Sequence, residues 1–101
     1  QSVLKKIRNG QLPVEAELDL HGATLRDAET KVLTFLRMQQ TGSQRVVRIV
    51  HGKGHGSPDR TPVLKSRVME WLRRSDAVLA FCPAPASDGG SGAVRVLLKR
   101  R

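Results

Sequence analysis

Tyrosine is absent from this 101-residue chain, and Phe35, Trp71 and Phe81 are its only aromatic side chains. All three lie inside apolar stretches, so there is no exposed stacking platform for splayed single-stranded bases. Cys82 is the one cysteine. It excludes an internal disulfide and a cysteine-built zinc cage and makes a reducing compartment the default, with Phe81-Cys82-Pro83 reading as a buried structural thiol. No apolar run approaches the roughly 18 residues of a membrane span, and no charged-apolar-small leader opens the sequence. A soluble, cytoplasmic protein with no membrane partner is expected, and a start at Gln1 fits an excised domain. The length allows one domain that buries about 60–70% of its unfolded surface, which argues against a deep, enclosed cofactor pocket.

Acidic residues are scarce as well: 9 against 18 Lys+Arg, for a net charge of +9. Each phosphate neutralised by such a protein releases condensed counterions, so a polyanion, DNA or RNA, is the natural partner. With few aromatics, recognition of backbone and shape is the expected mode.

Residues 1–16, with Lys5, Lys6, Arg8, Gly10 and Pro13, read as a basic arm, and 17–101 as the domain proper. Glu17 to His21 alternates with period two and closes at Gly22, as a strand does. Thr24-Leu25-Arg26-Asp27 matches a capping box, and Leu25, Ala28, Val32 and Phe35/Leu36 follow at helical spacing. Arg45 to Val50 is a second strand, rich in β-branched residues. Thr61-Pro62 starts a second helix with the apolar stripe Leu64, Val68, Trp71 and Leu72. Val78 to Cys82 and Ala93 to Lys99 are two more strands, joined through Pro83 to Gly92, where Gly89-Gly90-Ser91-Gly92 reads as a flexible turn.

The order βαβαββ implies two right-handed crossovers, hence a mainly parallel, four-stranded mixed sheet in a two-layer α/β sandwich, with both helices on one face. The other face should be open. Leu18 and Leu20 alternate with Glu17, Asp19 and His21, and Val94, Val96 and Leu98 with Arg95 and Lys99, so that open face should be polar and net basic. Arg48 and Arg95 are its candidate phosphate contacts, and Glu17 is placed to balance one of them.

Ligands of such sheets meet the protein at the carboxyl ends of the strands. Asp19 and His21 close the first strand and His51 the second, so neighbouring strands would bring the three together. Gly52, Gly54 and Gly56 let backbone N–H groups approach an anion, and Lys53 adds charge. The segment is no nucleotide-binding P-loop, because Lys53 is followed by Gly54 with no hydroxyl placed for magnesium. Zinc is not expected either, since His51 and His55 lie in a loop without a third and fourth ligand. If Mg2+ or Mn2+ participates, Asp19 is the better ligand and Glu17 the poorer. A bland reading stands beside this one: Asp19 and His21 as partners at a strand end, the carboxylate fixing the imidazole tautomer.

Leu18-Asp19-Leu20-His21-Gly22, His51-Gly52-Lys53-Gly54 and Gly89-Gly90-Ser91-Gly92-Ala93 resemble, in order and spacing, the motifs of the Smr (small MutS-related) domain over residues 17–101. The lead-in from Gly10 to Ala16 is similar to that of stand-alone bacterial members. The resemblance implies a βαβαββ fold and an endonuclease that nicks or cleaves DNA or RNA, in repair or in translation quality control. It also implies a site in which Asp19, His21, His51 and Lys53 act and Gly22, Gly52 and Gly54 help hold phosphate. Asp88 departs from the histidine that many stand-alone members carry before the glycine pair. The competing expectations are a non-catalytic module for structured or branched nucleic acid and a ribosome-binding domain.

Overall fold

The structure, a computed structural model, describes residues 2–52 and 61–101. The chain opens with a short helix, α1 (Ser2–Arg8), whose last turn carries Lys5, Lys6 and Arg8, cations that complement the helix dipole. Seven residues are too few for a helix that stands alone, so α1 depends on what it packs against. After Gly10 the chain turns into strand β1 (Val14–Asp19), which begins before the expected Glu17. Helix α2 (Leu25–Gln39) follows, its first turn capped by Thr24 Oγ1, which accepts the Asp27 N–H at 3.2 Å, as the capping box predicts. Ala28, Val32 and Leu36 form its buried stripe. Strand β2 (Arg45–Val50), helix α3 (Thr61–Arg74) and strand β3 (Val78–Pro83) complete the two crossovers. Two single 3₁₀ turns, Ala86–Asp88 and Gly90–Gly92, lead into β4 (Ala93–Leu98).

The sheet order is β1-β2-β4-β3, with β1 parallel to β2 and β4 antiparallel to both of its neighbours. The mixed four-stranded sheet is as expected. Its pairings are less parallel than two crossovers suggest, because β4 comes back between β2 and β3, which antiparallel pairing permits through a short connection. That connection is regular: the Asp88 and Gly90 N–H groups both donate to Pro85 O, and Gly92 N–H donates to Gly89 O. Gly89 has a positive φ of 106°, and a Cβ there would meet that of Ala93 at 2.8 Å, so a side chain would force the turn open.

Helices α2 and α3 share one face, where Leu20, Val32, Leu36, Val47, Ile49, Val68, Leu72, Val94, Val96 and Leu98 close the main core. The other face differs from the open, basic surface expected of it. Helix α1 lies across it: Ile7 is 0% exposed and packs with Val46, Cys82 and Leu97, while Leu4, Leu12 and Val14 flank them. Burying one isoleucine is worth about 2–3 kcal/mol, as much as a short helix can bring. Strand β4 is therefore buried along its whole length, despite the alternation of Arg95 with valines. Cys82 is also buried here, as expected, and burial pushes its thiol pKa up.

Candidate functional site

At the carboxyl end of the parallel pair, Asp19 aligns with Val50 and the Leu20 N–H donates to Val50 O at 2.8 Å. Leu20 is fully buried, which fixes the backbone between two exposed side chains, Asp19 and His21. Asp19 Oδ1 accepts the backbone N–H of His21 at 2.9 Å, a local turn of the kind short carboxylates favour. The carboxylate thus orders the His21 main chain and is not bonded to its ring. Gly22 follows with a positive φ of 79° and open space around it, so this position demands the conformation, not the small volume.

One strand over, His51 is 2% exposed. Its backbone N–H and that of Gly52 both donate to Gly92 O, each at 3.0 Å, so the third motif's turn holds the second motif in place. The His51 ring places Nδ1 2.9 Å from Gly52 O; because a carbonyl only accepts, Nδ1 carries the proton. Nε2 is then an acceptor, and it is buried with no hydrogen-bond partner among the described residues. Burial is the main cause of a lowered pKa, the Lys65 charge adds to it, and the bond to Gly52 opposes it. His51 is therefore a neutral imidazole at pH 7.

The structure thus brings Asp19, His21, Gly22, His51 and Gly52 to one sheet edge. Lys53 and Gly54 lie outside the described residues. Arg48 and Arg95 are placed elsewhere and otherwise engaged. They face each other directly across β2 and β4, where like charges repel, and the Asp88 carboxylate sits between them. Arg95 donates through Nε and Nη2 to Asp88 Oδ2 at 3.0 and 2.7 Å, and through Nη1 to Ile7 O at 2.9 Å. Arg48 donates to the other Asp88 oxygen and, at 2.6 Å, to Glu17 Oε1. Arg95 is 7% exposed, so it is a buried structural ion and not a phosphate contact. Glu17 has the balancing role expected of it.

Sequence reasoning passed over Asp88 as the centre of this ion chain; an acid between a turn and a strand that carries an inward arginine was the available signal. Gly10 belongs to the same cluster: a Cβ there would stand 3.2 Å from Arg95 Nη1. As for a resident metal, no group of three or more His, Cys, Asp or Glu side chains gathers among the described residues. Among the described residues, Glu17 is committed to Arg48 and Asp19 Oδ1 already accepts the His21 N–H, so the carboxylates at the end of β1 do not by themselves make a cage for an ion.

The Smr domain family model matches residues 18–99. The chain is 35% identical over 98 residues to the probable DNA endonuclease SmrA of Escherichia coli K12, covering 97% of this chain and 52% of that protein. It is 36% identical to the ribosome rescue factor SmrB of Aeromonas hydrophila, covering 94% of this chain and 51% of that one. The chain spans about half the length of these curated relatives. Among solved structures, YdaL, a stand-alone small MutS-related protein from Escherichia coli, superimposes with a TM-score of 0.77 at 31% identity over 95% of this chain and 73% of that one. The Smr domain of Thermus thermophilus MutS2 gives 0.67 at 32% identity, covering 83% of this chain and 98% of that one.

Proposed function

The chain belongs to the Smr domain family, and from that premise we propose that it is a nucleic-acid endonuclease that cleaves phosphodiester bonds at the Asp19–His21 edge. The observation that carries this reading is the placement of two exposed side chains able to orient and move a proton, Asp19 and His21, on a backbone locked by buried Leu20. Relatives named as endonucleases, SmrA and MutS2, support it.

In this reading a water molecule, or the 2′-hydroxyl of RNA, adds to phosphorus while the His21 imidazole takes its proton. The bond to the leaving oxygen breaks, and that oxygen takes up the proton from the His21 imidazolium, which returns to its neutral form. Asp19 holds the His21 main chain in position. His51, neutral and shut away from solvent, offers Nε2 as a hydrogen-bond acceptor and is badly placed to be the acid. Lys53 and the glycine amides of the second motif would stabilise charge developing on the phosphoryl oxygens. No step is taken through a metal ion.

The test incubates supercoiled plasmid and a structured RNA with the parent and with an Asp19→Ala/His21→Ala double variant, each in magnesium, manganese or EDTA. Cleavage by the parent and none by the variant, with binding intact in both, is expected. Cleavage of RNA in EDTA with DNA untouched would identify the 2′-hydroxyl as nucleophile. Equal cleavage by both proteins would sink the reading. Retained binding without any cleavage would favour a second one, a binding module for structured RNA, for which relatives named as ribosome rescue factors speak.

A further inference from the structure

On the face expected to be basic, Arg48 and Arg95 are neutralised, and the exposed cations on that side are Lys5, Lys6 and Arg8 of the covering helix α1. A large share of the surplus positive charge lies at the end of the sheet opposite Asp19 and His21. Both α2 and α3 end there, with Arg37 in the last turn of one and Arg73 and Arg74 in the last turn of the other. β2 begins there with Arg45, and β4 runs out into Lys99, Arg100 and Arg101.

The last three residues are not a loose appendage. Lys99 N–H donates to Ala77 O at 2.8 Å, Arg101 N–H to Thr41 O at 2.6 Å, and Arg101 Nη2 to Arg37 O at 3.1 Å. The segment is thus stretched across the sheet end, from the α3–β3 turn to the end of α2. Its three side chains, together with Arg37 and Arg73, are exposed.

Acids here are few. Glu70 pairs with Arg74 at 2.9 Å, Glu15 lies 3.9 Å from Arg45, and Asp76 sits in the α3–β3 turn. Arg37, Arg73, Lys99, Arg100 and Arg101 make no salt bridge to the described residues. Attraction to helix C-termini accounts for an arginine in a last turn, but not for Lys99 and Arg100, which follow a strand.

We propose that this basic end is a second nucleic-acid contact, holding the phosphate backbone of the same molecule whose cleavage is assigned to the Asp19–His21 edge. The proposal rests on that reading for the identity of the partner. The two ends are separated by the length of α2, 15 residues or about 22 Å. At 3.4 Å per nucleotide, about six base pairs span that distance. The substrate class is therefore an extended or folded nucleic acid with a duplex stem of at least about six base pairs, and not a short single-stranded fragment.

Three proteins are compared: the parent, an Arg73→Ala/Lys99→Ala/Arg100→Ala variant, and an equally discharged control, Lys5→Ala/Lys6→Ala/Arg8→Ala, on α1. Binding to fluorescent duplexes of 4 and 20 base pairs is titrated against salt. For the 20-mer, the far-end variant should lose about 2–3 from the slope of log K against log salt and at least about tenfold in affinity, while the control stays near the parent. The 4-mer, too short to reach both ends at once, should lose less in the far-end variant than the 20-mer does. Equal losses in variant and control would mean net charge alone matters, and no loss in either would mean the far end is only solvated; both overturn the proposal. The outcome is separable from that of the cleavage test, because the salt slope reads binding whether or not the parent cuts anything.

Discussion

Arg48 and Arg95 on the second face of the sheet and Arg73, Lys99 and Arg100 at its far end illustrate opposite uses of the same chemistry. The first pair is directed inward and shares one carboxylate, Asp88, so two like charges on facing strands become parts of a four-residue chain that also takes in Glu17. The second set is exposed and pairs with no acid among the described residues. A cation enclosed by the fold must be met by the fold, and one left outside is free to meet a partner. The histidines repeat the lesson: His51 is enclosed and neutral, His21 exposed at the lip.

The contrast breaks most readily at Asp88. Asp88→Ala leaves Arg95 and Arg48 without their shared counter-charge and should cost about 3 kcal/mol in urea unfolding, the low end for a buried pair because Asp88 itself keeps some solvent contact. Adding Arg95→Met to that variant should restore part of the loss; a further drop would show that the arginine's bond to Ile7 O matters more than its charge.

Acid should be felt next, through His51. Burial holds its pKa in the fold below the ordinary imidazole value of about 6.5, so the unfolded chain takes up the proton first. The stability this group contributes is complete above about pH 6.5 and falls as pH drops through 6.5 toward the folded value. The urea midpoint should decline between pH 7.5 and 5.5 in the parent and more weakly in His51→Gln. Smaller still, Glu17→Ala removes a half-exposed partner of Arg48 and should cost about 0.5–1 kcal/mol. Arg100→Ala, an exposed cation at the far end of the sheet, should change stability by less than about 0.5 kcal/mol by the same measurement. A larger effect would place Arg100 among the structural ions and weaken the contrast.

Much of this architecture was legible in the sequence. The cap at Thr24, the stripe Ala28–Val32–Leu36 and the β-branched run Arg45–Val50 each obey local rules, and the structure has them where the periodicity puts them. That Asp19 and His51 stand at the ends of adjacent parallel strands followed from the element order alone, while their side chains differ, Asp19 exposed and His51 buried. Helix α1 was not legible, because Leu4 and Ile7 give too short a pattern, and its folding is decided by Val46, Cys82 and Leu97, remote in the chain. Arg95 misled for a related reason. Alternation reports which way a side chain points, but whether that direction is water depends on Asp88 and α1, which alternation cannot see.

The cover that α1 provides has a consequence for redox behaviour. A fragment cut at Glu17, where the alternating pattern begins, would lose Ile7 and with it the lid over Cys82. The Cys82 thiol, buried in the intact fold, would then be open to solvent and to disulfide exchange between two copies. The short helix is thus also the cover of the chain's one thiol.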